Sequence, residues 1–137
     1  MTQLNFFPFI ARGNQRMQFF RSKTFNIDNG SGTTDDDVIL ADLDFDVRVV
    51  FVRAVYVEAT DTAGAASATF SLGTTAGGVD IVAATALEVS KAVGGATVAT
   101  LAATLVAAGG SLFARHTGIA ATEAGQYYLE IGVLAKP

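Results

Sequence analysis

The longest strand-like pattern in the chain runs from Asp42 to Thr60. It opens with acidic and apolar side chains in alternation (DLDFDV), the period-two pattern of a half-buried strand. The VVFV segment that follows is apolar at every position, which is typical of a strand covered on both faces. β-Branched and aromatic residues dominate, and neither Pro nor Gly interrupts them. The pattern predicts one long strand, or two joined by a bulge, at the centre of a sheet.

Shorter alternating segments predict further strands on both sides of this one. They are Gln18–Ile27, Val38–Leu40, Ala68–Leu72, Val79–Ala83, Leu87–Val89, Ser111–Thr117 and Gln126–Ala135. In the last of them Tyr127, Leu129, Ile131 and Val133 are expected to face inward. The intervening segment Asp28–Asp37 contains Asn-Gly and Ser-Gly dipeptides and consecutive acids that would repel each other in a packed element, so it predicts a loop.

One segment, Thr97–Ala108, fits two interpretations. Its Val and Leu residues recur at helical spacing, and Ala is the best helix former. However, it lacks an acidic first turn, contains several β-branched residues and lies among predicted strands, which favours a strand. Eight or so short strands with Gly- and Thr-rich turns predict an all-β antiparallel sandwich or barrel.

The segment before the first strand, residues 1–17, has no sustained period. Apolar side chains are concentrated near its start at Phe6, Phe7, Phe9 and Ile10, and Arg12 and Arg16 follow. Because exposed aromatic clusters generally mark contacts, we expect an extended N-terminal arm that binds a neighbouring subunit through these six residues. The alternative is a terminal strand that closes the sheet of its own domain. Residues 18–137 are expected to form one β-sandwich domain.

Composition narrows the function classes. A chain of 137 residues is most simply one domain with a sizeable core. It has no cysteine, so it forms neither disulfides nor thiolate metal sites. No stretch reaches the ~18 consecutive apolar residues of a membrane span, and the start lacks the order of a signal peptide.

Charge is distributed unevenly along the chain. Residues 1–27 carry a charge of +4 and no acid, whereas the remainder carries −8. A basic arm on an acidic body is suited to an acidic partner. The sequence pI of about 4.7 argues against a nucleic-acid-binding domain, although basic residues beside Phe19 and Phe20 occur in such sites.

No residue pattern predicts catalysis, a metal or a cofactor. His116 is the only histidine, and no serine near it lies in a nucleophile-elbow context, so we expect a structural histidine hydrogen-bonded to backbone. The alternating acids of DLDFDV lack the Gly and bidentate Glu of a calcium loop, and we expect a solvated or partner-facing acidic face. The GTTAGGVD segment lacks the Lys of a phosphate-binding loop and predicts a turn.

Three C-terminal segments, ATFSLGTTAGGVDIVAA, TLVAAGGSLFARHTG and AGQYYLEIGVL, resemble small all-β structural proteins of tailed bacteriophages, the capsid decoration or cement proteins. The resemblance covers Ala68 to Leu134 and leaves residues 1–67 outside it. It implies a jelly-roll-like sandwich, usually a homotrimer, on the outer surface of a capsid at threefold or quasi-threefold positions. The implied partners are the major capsid protein and further copies of the chain.

The resemblance makes a non-enzymatic structural role in the virion the first hypothesis for function, with no nucleic acid and no membrane as partner. Many copies bound at once would stabilise a capsid through modest individual contacts. The alternative is a carbohydrate-binding or adhesion module on a similar sandwich. Sugar sites normally present exposed aromatic side chains in a cleft, and this chain has no Trp.

Overall fold

The computed structural model describes residues 17–28, 32–60, 68–118 and 125–135. These residues form ten strands and no helix. The strands are β1 Gln18–Arg21, β2 Phe25–Asn26, β3 Thr34–Leu40, β4 Val47–Glu58, β5 Thr69–Gly73, β6 Val82–Ala86, β7 Ala96–Val98, β8 Leu105–Val106, β9 Leu112–Thr117 and β10 Gln126–Ala135.

The strands form two antiparallel sheets packed as a sandwich, which confirms the predicted fold class. The larger sheet has the order β1-β10-β4-β7, with β2 also paired to β10 and β8 also paired to β4. The smaller sheet has the order β3-β9-β5-β6. β1 and β2 both pair with β10, and β7 and β8 both pair with β4. Each of these two pairs of short strands is therefore one interrupted strand. Counted in this way, the described residues make eight strands in two sheets of four, the arrangement of a jelly roll.

The central strand β4 is shorter than predicted. It begins at Val47, and the preceding residues 41–46 are irregular, with Asp42 at a φ of 51°. Leu43 is nevertheless buried, and its backbone N–H donates to the Gly110 carbonyl at 3.0 Å. The alternation in DLDFDV therefore predicts the burial of Leu43 correctly. Its backbone is hydrogen-bonded to another loop, however, and not to a neighbouring strand.

The VVFV run arises from a β-bulge, which was one of the two predicted alternatives. Val49 lies opposite Val133 and Phe51 lies opposite Gly132, so Val50 is an extra residue without a partner. The prediction that both faces are covered here is wrong, because Val50 remains 39% exposed. A bulge shifts the side-chain alternation by one residue and so places apolar residues at consecutive positions.

The predicted strand Gln18–Ile27 is interrupted at Ser22. The backbone N–H of Ser22 donates to the Leu129 carbonyl at 2.9 Å, and the Ser22 hydroxyl oxygen accepts the Leu129 N–H at 2.8 Å. The side chain thus supplies one of the two hydrogen bonds that a regular strand would make with backbone, which separates β1 from β2.

The acidic segment before Val38 is also different from the prediction. Asp35, Asp36 and Asp37 lie within β3, which pairs with β9 along its whole length, and not in a loop. The predicted strand Val38–Leu40 is therefore the second half of a longer one.

The β5–β9 half of the chain follows the prediction with local shifts. β6 begins at Val82 and not at Val79, and Leu87–Val89 is not a strand. Thr97–Ala108 contributes β7 and β8 and no helix, so the favoured strand interpretation is correct at its two ends. The connection from β6 to β7 is held by the hydroxyl group of Tyr56, which accepts the Glu88 N–H at 2.9 Å. That hydroxyl also lies 2.6 Å from Thr97 Oγ1.

The core lies between the two sheets and is built around four large aromatic side chains. They are Phe25, Tyr56, Phe70 and Tyr127, each no more than 1% exposed. Tyr127, Leu129, Ile131 and Val133 all face inward from β10, as predicted. Full burial of one large apolar side chain is worth roughly 1.5–3 kcal/mol, so each of the four contributes on that order to the packing energy.

Candidate functional site

The six residues predicted to bind a partner all lie outside the described residues. They are Phe6, Phe7, Phe9, Ile10, Arg12 and Arg16. Their role stays a prediction.

The described chain presents a second cluster of exposed aromatic and arginine side chains, on the outward side of the larger sheet. We call it the aromatic–arginine face, and it consists of Phe19, Arg21, Arg48, Phe51, Arg53, Tyr128 and Glu130. Three adjacent strands place these residues in register: Phe19 and Phe51 lie on either side of Gly132, and Arg21 and Arg53 lie on either side of Glu130. Sequence analysis missed this face because its members come from three separate segments.

The two phenylalanines meet above Gly132. Their ring centroids are 5.8 Å apart, and Phe19 is 59% exposed. A Cβ atom at Gly132 would lie 2.8 Å from Met17 Sδ and closer still to the Phe51 ring. Glycine in the middle of β10 therefore provides the space that Phe51 and Met17 occupy.

Two of the three arginines of the face, Arg21 and Arg53, stack on its aromatic rings. The Arg21 guanidinium lies 4.3 Å from the centroid of the Tyr128 ring, and that of Arg53 lies 5.4 Å from the Phe51 centroid. Arg53 also donates two hydrogen bonds to one carboxylate oxygen of Glu130. Such cation–π contacts hold the long side chains along the surface, so the face is preorganised.

Exposed aliphatic side chains extend this surface toward β7 and β8. Val98 is 69% exposed and lies opposite Arg53, and Leu105 is 47% exposed and lies opposite Arg48. A contiguous apolar surface of this kind, with charges among its members, is typical of a protein–protein contact.

The acidic strand β3 is compensated by two basic side chains from neighbouring elements. Arg115 of β9 donates to both carboxylate oxygens of Asp36, at 2.7 and 2.8 Å. Lys23 reaches across from the segment between β1 and β2: its Nζ lies 2.6 Å from Asp35 Oδ1, and its backbone N–H donates to Asp37 at 2.7 Å. Repulsion among the three acids is thereby offset, which explains why they form a strand.

The ion pair between Asp36 and Arg115 shifts the pKa of both residues. The hydrogen bond from Arg115 lowers the pKa of Asp36, and the same contact raises the pKa of Arg115. The Arg115 guanidinium also lies against Gly77, where a Cβ atom would be 2.5 Å from Nη1. The smaller sheet thus carries a fixed, paired charge cluster at this edge.

We expect Arg115→Gln to lower the free energy of unfolding by up to about 1 kcal/mol at low salt, because a partly exposed bidentate pair is lost. The loss should shrink as salt is added, since salt screens the charges that remain. Urea unfolding at two salt concentrations measures it. The control is the same substitution in an Asp36→Asn background, where the pair is already absent and Arg115→Gln should cost much less. Equal losses in the two backgrounds would contradict the role of the pair.

The remaining acids of the predicted acidic face lie in the irregular segment 41–46, which we call the acidic end. Asp42 and Asp44 are exposed and make no ion pair with described residues. Asp46 accepts the Ala108 N–H at 2.8 Å. The expectation that these acids alternate along a strand is wrong, because β4 starts only after them, but the two exposed ones do face solvent.

His116 is completely buried between the two sheets. Its Nδ1 lies 2.6 Å from the hydroxyl group of Tyr127 on the opposite sheet, and its ring stacks on Phe25 at 5.8 Å. The expected interaction with backbone is present, because the Asn26 and Ile27 backbone acts on the ring, but a side chain of β10 provides the short hydrogen bond. Nε2 has no partner in good hydrogen-bonding geometry among the described residues.

Burial dominates the electrostatics of this pair. Desolvation lowers the pKa of His116, and the Asn26 and Ile27 backbone and the Asp35 carboxylate oppose that effect only in part. Desolvation likewise raises the pKa of Tyr127 far above its ordinary value. Both side chains are thus neutral near pH 7, and a ring without solvent access cannot act on a dissolved substrate.

The remaining polar features are structural. GTTAGGVD connects β5 to β6 as the predicted turn, with the Thr74 hydroxyl donating to Asp80 at 2.6 Å. Within the described ranges no group of three or more His, Asp or Glu side chains could hold a metal ion. The same ranges contain no helix long and apolar enough to cross a membrane.

Comparisons with known proteins give likeness in structure alone. No family model matches the chain, and no curated protein does. A chain of the cyanophage Pam1 capsid asymmetric unit is similar with a TM-score of 0.60 and 15% identity, over 93% of this chain and 91% of that one. A chain from disulfide-linked pili, the Bacillus endospore appendages, covers 92% of this chain and 95% of its own at 19% identity, but its TM-score of 0.32 carries no argument. At these identities the likeness concerns the fold.

Proposed function

We propose that this protein is a non-enzymatic structural component of a phage virion, a decoration or cement protein that binds the outer surface of the capsid and stabilises it. The observation that carries the proposal is the shared architecture with a chain of a cyanophage capsid asymmetric unit, which extends over 93% of this chain. The sequence resemblance of Ala68 to Leu134 to decoration proteins leads to the same class of protein.

The described surface supports a role in binding proteins. The aromatic–arginine face presents Phe19 to solvent, and the exposed aliphatic side chains of Val98 and Leu105 extend it. His116, the one histidine, is buried and bonded to Tyr127, so it serves packing. A rigid sandwich with an exposed apolar face is suited to a protein whose function is to hold neighbouring subunits together.

In this proposal residues 1–17 form an N-terminal arm and residues 18–137 form the sandwich domain. Phe6, Phe7, Phe9 and Ile10 anchor the arm to the major capsid protein or to a neighbouring copy. Arg12 and Arg16 add attraction to acidic groups. The proposed assembly on the capsid surface is a homotrimer.

The direct test is mass spectrometry of purified virions from the lysate in which the gene is expressed. We expect to find many copies of this chain in each particle. Conditions that release the chain from the particle should also make the capsid less stable. Its absence from purified particles would overturn the proposal. Clear and specific binding in a glycan-array screen would favour a carbohydrate-binding module instead, for which the exposed Phe19 and half-exposed Tyr128 would provide stacking surfaces.

Deleting residues 2–16 should abolish attachment to capsids that lack the protein, while the circular dichroism spectrum and melting temperature change little. Burying each apolar anchor contributes roughly 1.5–3 kcal/mol, against an ordering cost of about 1–2 kcal/mol per residue, so all anchors are needed together. The matched control replaces Arg12 and Arg16 by Gln: it should still attach, but with weaker salt dependence. Unfolding of the truncated chain would mean that the segment belongs to its own core. Attachment with unchanged salt dependence would place the binding surface in the sandwich.

A further inference from the structure

We propose that the aromatic–arginine face binds the acidic end of a second copy of this chain, head to tail, so that the copies close into a ring. This rests on the proposed function only for its setting on a capsid, because the contact itself joins copies of one chain.

The face has the composition of a contact surface. The Phe19 and Phe51 rings form its apolar centre above Gly132, and Val98 extends it across β7. Phe19 is 59% exposed and Val98 is 69% exposed. Aromatic and Arg side chains are the types enriched at the centres of protein interfaces.

The charge of the face selects the partner. It carries three arginines, Arg21, Arg48 and Arg53, against the single carboxylate of Glu130, which Arg53 already binds. Arg21 and Arg48 make no ion pair with described residues. A surface with this excess of positive charge requires carboxylates from its partner.

Complementary carboxylates are present on the chain itself. Asp42 and Asp44 of the acidic end are exposed, and they are bound by no described cation. Arg115 and Lys23, by contrast, already bind the carboxylates of Asp36 and Asp35 on β3. The acidic end is therefore a described surface with two exposed, unpaired carboxylates close together in the chain, free to receive Arg21 and Arg48 of another copy.

The same charges exclude the simplest dimer. In a two-fold contact made by this face alone, the face packs against itself, so two surfaces that both carry an excess of arginine would meet. Like charges opposed at an interface cost free energy. A face that binds a different surface of the next copy makes a heterologous contact, which closes into a ring when the rotation permits.

The test measures self-association of the full chain by sedimentation velocity and native mass spectrometry, with no capsid present. We expect a closed oligomer of more than two copies at micromolar concentration. Phe19→Ser should weaken its association by about tenfold or more, as loss of a central aromatic anchor does. Val79→Ser is the matched control: it removes a side chain that is 52% exposed, next to β6 on the smaller sheet, and should leave association unchanged.

Charge reversal tests the pairing of the two surfaces. Arg21→Glu with Arg48→Glu, and separately Asp42→Lys with Asp44→Lys, should each weaken association by about tenfold or more at low salt. The chain that carries all four substitutions should associate nearly as well as the native one, because the charges are again complementary. Circular dichroism and the melting temperature establish that each variant is folded.

A native chain that is a monomer or a two-fold dimer would overturn the inference. So would Phe19→Ser and Val79→Ser variants with the same affinity, or a fourfold-substituted chain with no recovery. Because no capsid takes part, these results are independent of virion attachment. A ring that fails to bind capsids would overturn the proposed function alone.

Discussion

Tyr127→Phe should lower the free energy of unfolding by about 1–3 kcal/mol, although it removes a single oxygen atom. The hydroxyl group of Tyr127 is the hydrogen-bond partner of His116 Nδ1 at 2.6 Å, and both side chains are completely buried. Without that hydroxyl, a polar ring nitrogen stays in the core without a partner, which costs its full desolvation penalty. Urea or thermal unfolding measures the loss.

Tyr128→Phe is the matched control for this variant. Tyr128 is the next residue of β10, faces outward and stacks against Arg21, so removal of its hydroxyl should change stability by less than about 0.5 kcal/mol. A double-mutant cycle with His116→Phe isolates the contact, because replacing both partners by apolar groups costs less than the two single changes together. Equal effects of the two Tyr→Phe changes would show that the buried hydrogen bond contributes nothing.

Stability should also fall as the pH is lowered from about 6.5, with a slope of up to about 1.4 kcal/mol per pH unit. Burial lowers the pKa of His116 in the folded protein, so below its ordinary value the unfolded chain binds a proton that the folded chain does not. Protonation therefore favours unfolding throughout the window between the ordinary pKa and the lowered one. Above that window the ring is neutral in both states, and its contribution no longer depends on pH.

His116→Phe should remove this slope between about pH 5 and pH 6.5, because the histidine is the group that titrates there. The carboxylates with shifted pKa values affect stability in a lower pH range. Hydrogen bonds lower the pKa of Asp36, Asp80 and Glu88, so the stability that they contribute is present above the ordinary pKa values, 3.8 for Asp and 4.5 for Glu, and is lost as the pH falls below them. An unchanged slope in the His116→Phe variant would show that a different group causes the acid sensitivity.

Alternation of side chains along single strands predicts much of this fold. It identifies β9 and β10 almost to the residue and orients Tyr127, Leu129, Ile131 and Val133 toward the core. These strands have neighbours on both sides, so their pattern of burial reflects the sheet directly. The all-β class follows from the same pattern repeated over the chain.

Errors in the prediction concentrate where a distant residue changes the local preference. The acids before Val38 look incompatible with a strand until Lys23 and Arg115 approach them from other elements. Ser22 interrupts the first strand because its hydroxyl meets the N–H of Leu129, more than one hundred residues later in the chain. A local pattern contains no information about such partners.

The aromatic–arginine face shows the same limit for function. Phe19, Phe51 and Gly132 are unremarkable in their own segments, and the bulge at Val50 determines which of the neighbouring apolar residues faces solvent. The strand register alone brings Phe19 and Phe51 together above a glycine. The sequence by itself determines that the chain builds a β-sandwich and which strand faces are apolar, since alternation and β-propensity act over a few residues. Only the tertiary structure decides that His116 meets Tyr127 in the core, because the two sheets pack face to face. It also decides that the arginines collect on one outer face, because pairing between distant strands places those side chains side by side.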